Sequence, residues 1–411
     1  MRHTVGYIPS SIKSKFSAFV YVVGFLFCFG SSTVEASGPH PHGAPVRIGF
    51  DGAFSQITNT AAAAIELGAK IAIEEINARG GVLGGRPLIL ETRDNHGVAA
   101  RARVNFRELA SQPDLVAIYS GKFSPTTIET APIANELKVI SVGLWGSASP
   151  ITGDPRANPF VYRLSLNDTW AIPAMMEHAR KTFAATRLCL LAPNTAWGRS
   201  GAAALEMSLA SFGQQVAYSR WFTWGQIDFD RIIDRCQSSG GQAIFLIANE
   251  AEAASLVNDM AGRPMDYRMP IVAHWGLTGG QLHEMVGENA KAVRMDIVQT
   301  FTFVGNPRPV AQRLAEAVMA LTGVHEPALI SSPVGVAQAY DMTHLLSLAI
   351  DRAGSVDRSA VRAAMQDIPA YEGAIRFYNP AFSKTNHDGL TPAQILFVNL
   401  RADGALVPVG N

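Results

Sequence analysis

The chain has 411 residues, with 34 lysines and arginines matched by 34 aspartates and glutamates, and only three cysteines. That length is enough for two lobes with cores of their own. The charge balance excludes the basic surface that recruits a protein to nucleic acid or to an anionic membrane.

The first segment reads as an address. Arg2, Lys13 and Lys15 form a basic region, residues 16–29 an apolar run, and Val34-Glu35-Ala36 a small-x-small cleavage site. This is the layout of a secretory signal peptide over residues 1–36, removed as the mature protein is exported. The apolar run is shorter than the ~20 residues of a spanning helix, and Cys28 follows Phe27 rather than a small residue, which argues against a lipid anchor. Residues 37–45, rich in Pro, Gly and His, read as a linker, with His40 and His42 in a solvated tail rather than on a metal. Cys189 and Cys236 are expected to be buried free thiols, because one lies in an apolar strand and the other late in an amphipathic helix.

Residues 46–50 form a short apolar run that stops at Asp51-Gly52, a buried strand with a turn behind it. From Thr60, Ile65, Ala69, Ala72, Ile73 and Ile76 fall at spacings of three and four, on one face of a helix. Asn77-Ala78-Arg79-Gly80-Gly81 closes that helix, since glycine takes the left-handed cap without a Cβ clash. A strand over 88–92 completes a parallel βαβ unit. Such sheets bind ligands at the carboxyl ends of their strands, so loop 51–59 is a first candidate for contact.

The pattern then repeats, with a helix to Leu109, a strand over 115–119, the loop 120–125, a helix over 126–137 and a strand over 139–143. Residues 145–159 read as a long loop, 161–164 resume an extended run, and Asp168 is placed to cap a helix over 170–183. A second series has strands at 187–192, 216–221, 243–247 and 271–273, alternating with helices at 200–212, 229–238 and 250–261. The alternation predicts an α/β protein of doubly wound sheets.

Enzyme constellations are missing from the sequence. There is no GxxxxGK, and His283-Glu284-Met285-Val286 lacks the second histidine of a zinc helix. Trp197-Gly198-Arg199-Ser200-Gly201 is not the G-x-S-x-G of a nucleophile elbow. Histidines 178, 274, 283, 325, 344 and 387 have no ligand spacing. The expectation is a binder that is not an enzyme and takes no cofactor or metal.

The block IGFDGAFS followed by GAKIAIEEINARGGVLGGRPL resembles the opening of the periplasmic leucine/isoleucine/valine-binding proteins, the solute receptors of ABC importers. VGVAQAYDMTHLLSLAIDRAGS, from Val334, resembles the family's late first-lobe helix, and the segment from Gly373 onward its closing hairpin. The resemblance implies the type I periplasmic-binding fold: two Rossmann-like lobes joined by a multi-crossover hinge, with crossings near Arg163, Val298 and Asp367. Lobe one is then 46–163 plus 298–367, and lobe two 164–297 plus 368–411. It implies a small-molecule ligand, a permease and ATPase complex in the inner membrane as partner, and a monomer. A ligand-sensing receptor of the same fold is the alternative. Some family members carry a disulfide between the regions of Asn95 and Lys122, where this chain has no cysteine.

The resemblance also points to site residues. Segment 120–127, SGKFSPTT, occupies the place of the family's G-P-x-S-S-G-x-T loop, so Ser124 matches a serine that holds the ligand carboxylate and Phe123 replaces another. Helix capping is the plain alternative for Ser124. Ser147 matches a second carboxylate contact, and Trp197 an aromatic packing from the opposite lobe. Asn249 and Glu250 lie where a second aromatic contact occurs. Trp275 falls where amino-acid receptors place the acidic partner of the ligand ammonium, which leaves Glu250 as the nearby candidate for that charge. With Trp145, these rings imply an aromatic-walled pocket suited to a flat or apolar carboxylate.

Overall fold

The computed structural model describes residues 42–410 apart from Ile57; the expected leader over 1–36 lies outside the described residues. The first lobe is built on β1 (Val46–Gly52), α1 (Ala61–Ala78), β2 (Leu88–Asp94), α2 (Ala99–Ala110), β3 (Leu115–Ser120), α3 (Ser124–Leu137), β4 (Ile140–Gly143) and β5 (Val161–Arg163). Its five strands lie in the order β2-β1-β3-β4-β5 and all pair in parallel. Strand β1 runs two residues past the expected stop at Phe50, because Asp51 and Gly52 keep pairing with Arg93 and Asp94.

The second lobe follows with α4 (Asp168–Phe183), β6 (Leu188–Pro193), α5 (Ala196–Ala210), β7 (Tyr218–Phe222), α6 (Asp230–Ser238), β8 (Ala243–Leu246), α7 (Glu250–Ala261), β9 (Ile271–Ala273), α8 (Leu282–Val286) and β10 (Met295–Gln299). The chain then returns to the first lobe as α9 (Pro309–Thr322), α10 (Pro333–Ala353) and α11 (Arg358–Ala364). A small hairpin, β11 (Tyr371–Glu372) with β12 (Phe377–Tyr378), leads to β13 (Leu396–Leu400) and β14 (Leu406–Pro408). The second sheet runs β14-β13-β10-β9-β8-β6-β7, parallel from β10 to β7 and antiparallel through the closing hairpin. Val298 belongs to this sheet, since it pairs with Phe397.

Burial explains the elements. The face of α1 read from its spacing is buried throughout, and the helix ends at Gly80 and Gly81, both at positive φ. Helix α10 is buried on nearly all sides, as a central helix must be to carry so apolar a surface. It approaches α1 so closely that a Cβ at Gly68 would lie 2.1 Å from the Val336 carbonyl oxygen. Helix α11 is tied to the first lobe by Arg358, which donates to the Leu115 and Ala110 carbonyls at 2.8 and 2.7 Å.

Three local expectations need correcting. Asp168 is the first residue of α4, and the cap is Asn167, whose side chain accepts from the Thr169 N–H at 3.0 Å. Helix α5 starts at Ala196, capped by Thr195, so Trp197 sits in its first turn. Cys189 and Cys236 are not free thiols but a disulfide, with Cα atoms 5.9 Å apart. It ties α6 to β6 at a point where Gly241 leaves room for the sulfurs, since a Cβ there would sit 2.2 Å from Cys189 Sγ. A buried cysteine in an apolar pattern looks the same paired or free, whereas the export signal favours a disulfide.

Candidate functional site

Register places the loops of the first lobe side by side. Ser120 pairs with Gly143, and Gly143 with Arg163, so the residues after β3, β4 and β5 emerge together at the carboxyl edge of the sheet. Ser124, the first residue of α3, binds the loop after β4 rather than capping its own helix: its Oγ accepts the N–H groups of Ser147 and Ala148, each at 3.2 Å. Ser165 Oγ donates to the carbonyls of Trp145 at 2.8 Å and Gly146 at 3.2 Å.

Arg163 holds this loop from below. Its side chain is fully buried, and its guanidinium grips Asp388 at 2.8 and 3.1 Å. It also donates to the Ser147 and Ala148 carbonyls at 3.1 and 3.0 Å and to Thr152 Oγ1 at 2.8 Å. Burial pulls the Asp388 carboxyl up, but Arg163, with hydrogen bonds from Asn167 and Thr152, outweighs it and holds the group below the ordinary range.

The second lobe offers the opposite wall. Leu246 pairs with Ala273, which sets the ends of β8 and β9 level and brings Asn249 beside His274 and Trp275. Trp197 covers Gly276 so tightly that a Cβ there would come within 2.4 Å of its ring. Trp224, in the turn after β7, reaches across to Phe123 with ring centroids 5.2 Å apart. Trp145 meets Trp275 at 5.5 Å.

Seven of the expected site residues line one cavity between the lobes: Phe123, Ser124, Trp145 and Ser147 from the first, and Trp197, Asn249 and Trp275 from the second. Its free volume is about 10 Å³, room for a single water, so a larger guest enters only as rings or lobes move apart. Among the described residues, the indole N–H groups of Trp145 and Trp197 are buried with no hydrogen-bond partner. Behind Trp197, His274 Nε2 lies 3.1 Å from Asp168 Oδ1, both side chains fully buried.

Glu250 is the exception. It is buried but does not line the cavity, because Lys122 binds it from the first lobe and Thr58 Oγ1 donates to its other oxygen at 3.1 Å. Loop 51–59 behaves similarly: Thr58 and Asn59 touch the second lobe, at Glu250 and Gly280, without reaching the cavity. Asp51 stays below, where burial pushes its carboxyl up to about 6 despite hydrogen bonds from Asn105 and Asn95 at 2.7 and 2.8 Å. The sequence reading missed Lys122, Trp224 and the His274–Asp168 pair. Lys122 had a signal, a lysine at a strand end in the ligand loop; Trp224 and the pair depend on long-range packing. Among the described residues, no group of three or more His, Cys, Asp or Glu side chains could hold a metal ion.

Residues 45–405 match the sequence model of the periplasmic binding protein family. A Leu/Ile/Val-binding protein homolog from Brucella melitensis is 22% identical over 313 residues, 76% of this chain and 80% of that one. In structure, the chain is similar to a leucine-binding protein from Thermotoga maritima, with a TM-score of 0.77 at 22% identity over 88% of this chain and 97% of that one. It is also similar to an ABC transporter solute-binding protein from R. palustris in complex with benzoate, with a TM-score of 0.73 at 15% identity over 89% and 96%.

Proposed function

We propose, since the chain belongs to the periplasmic binding protein family, that it is the periplasmic receptor of an ABC importer and closes on a small aromatic or apolar carboxylate. The observation that carries this is the pair of indole N–H groups, on Trp145 from one lobe and Trp197 from the other, buried without partners on two rings that line the cavity together with Phe123, Trp224 and Trp275. A buried donor left unmatched is costly. A ligand acceptor that meets both indoles removes that cost only when the lobes are together, so binding favours closure. The first turn of α3 lines the same cavity and adds the positive end of a helix dipole. The ligands of two structurally similar proteins, leucine and benzoate, are both carboxylates.

In this reading lobe one is built on 46–163 and α9 to α11, lobe two on 164–299 with β13 and β14, the second crossing falling after β10 and not at Val298, and the lobes move about three crossings. The signal peptide over 1–36 is removed on export, and the mature receptor works as a monomer that delivers its ligand to the permease and ATPase complex. The cavity binds and does no covalent chemistry. Thermal-shift titration with benzoate, phenylacetate and short-chain carboxylates tests the reading. A saturable rise in Tm with at least one aromatic or apolar acid is expected. No response to any of them overturns it.

A further inference from the structure

Lys122 and Glu250 come from different lobes, one after β3 and the other opening α7, and their side chains are only 2% and 6% exposed. The lysine ammonium donates to the Glu250 carboxylate and to the Gly279 carbonyl, the latter at 3.3 Å. A carboxylate and a carbonyl facing one point form the acceptor set that a ligand ammonium would need. Here the chain's own ammonium fills it. Both side chains are clamped by main chain: a Cβ at Gly279 would lie 3.0 Å from Lys122 Cε, and one at Gly280 would lie 2.3 Å from Glu250 Cδ. Lys122 lines the cavity and Glu250 does not.

We propose that Lys122 is a built-in replacement for a ligand ammonium, the residue that excludes amino acids and selects carboxylates lacking an amino group. The proposal rests on the receptor reading of this cavity and deepens it. An amino acid entering the cavity would bring a second ammonium beside the first, with Glu250 already neutralised. It must then stay buried without a counter-charge or displace a lysine held from two lobes, and both are unfavourable. A carboxylate without an amino group meets neither obstacle. Removing the lysine while keeping Glu250 leaves an ammonium site open to an outside amine.

The test uses the mature protein, K122A and the double variant K122A/E250Q, with methylammonium chloride as probe and sodium chloride as the ionic-strength control. K122A should gain a saturable rise in Tm of a few degrees with methylammonium, absent from wild type and from the double variant. Its preference for phenylacetate over phenylalanine should fall by about tenfold or more. No response of K122A beyond the salt control, or an equal response in wild type, overturns the proposal. Wild type alone carries a further arm that needs no variant to fold: leucine and phenylalanine should not raise its Tm, and a clear rise with either is equally fatal. The methylammonium arm does not depend on which acid is the ligand. Failure of wild type to bind any aromatic or apolar acid would therefore count against the receptor reading, and not against the role of Lys122.

Discussion

Arg163→Lys probes the link between the fold and the ligand loop. The guanidinium is fully buried and its five N–H donors reach five acceptors: both Asp388 oxygens, the Ser147 and Ala148 carbonyls and Thr152 Oγ1. Lysine keeps the charge but offers three donors from one point, so at least two of these acceptors lose the arginine bond, although the Asp388 oxygens and both carbonyls each keep one other donor. At about 1.5–3 kcal/mol for each lost bond from a charged donor, the variant should lose about 3–6 kcal/mol of stability, a large part of the ~5–15 kcal/mol typical of a domain. The loop that Arg163 steadies carries Trp145 and Ser147 into the cavity, so affinity for an aromatic acid should fall as well. Urea unfolding followed by tryptophan fluorescence, with ligand titration on the same samples, measures both. A variant within about 1 kcal/mol of wild type would refute the claim that all five bonds matter. Asp388 adds a pH signature. Its folded pKa is depressed, so its contribution is present above the ordinary carboxylate range and is lost as pH falls through the folded value.

Asp51 should behave with the opposite sign. Its pKa is raised from 3.8 to about 6, so its favourable contribution is full below pH 3.8 and is lost as pH rises through 6; the stability of D51N relative to wild type should therefore climb by about 3 kcal/mol between pH 4 and 7, and a flat difference in pH-dependent denaturation would contradict this. Replacing Cys189 and Cys236 together by alanine removes a link across 47 residues and should cost about 2–4 kcal/mol, with dithiothreitol lowering the Tm of wild type and leaving that of the variant unchanged. Gly68→Ala places a Cβ 2.1 Å from a carbonyl oxygen of α10 and should destabilise by about 1–3 kcal/mol, whereas an unchanged Tm would mean that the two helices are further apart. Trp145→Phe and Trp197→Phe each delete one unpartnered indole N–H and keep a ring; each should weaken carboxylate binding by about 1.5–3 kcal/mol without loss of stability, and unchanged affinity in both would place the anion elsewhere.

The alternation of strands and helices was legible because it is periodic: α1 shows its buried face at spacings of three and four, and the short apolar runs at 115–119 and 243–247 became β3 and β8. Helix starts were less legible. Whether Asn167 or Asp168 caps α4 is decided by one hydrogen bond, not by residue type, since both are good caps. Helices α9 and α11 have no counterpart in the sequence reading, and α11 is short and held by Arg358 and Arg362, which reach carbonyls over two hundred residues away. Trp145, Trp197 and Trp275 were found as residues, but the missing partners of two indoles could not be read from a chain. Glu250 was placed correctly at a strand end, and what it does there was decided by Lys122, 128 residues earlier in the sequence.

The contacts between the lobes divide into two kinds with different consequences. Lys122 with Glu250, Thr58 with Glu250, and the Ser149 N–H on Ser200 Oγ at 2.9 Å join the lobes through the chain's own groups. As contacts between the lobes they favour the closed arrangement by the same amount whatever the ligand, so apart from the exclusion of a ligand ammonium by Lys122 they create no preference. In the proposed receptor, preference among ligands without an ammonium comes from groups that the ligand satisfies, and the two unpartnered indole N–H donors are assigned that role. A neutral aromatic molecule can fill the space between Trp145, Trp197 and Trp275 yet leaves both donors unmatched, whereas a carboxylate of the same shape has two oxygens to offer. The selectivity between acid and neutral isostere should therefore exceed that between acids of different ring substitution, because an unmet buried donor costs more than a methylene's worth of packing. Benzoate against toluene, compared with benzoate against methyl-substituted benzoates, measures the two differences directly. The order would reverse if the rings, and not their N–H groups, set the choice.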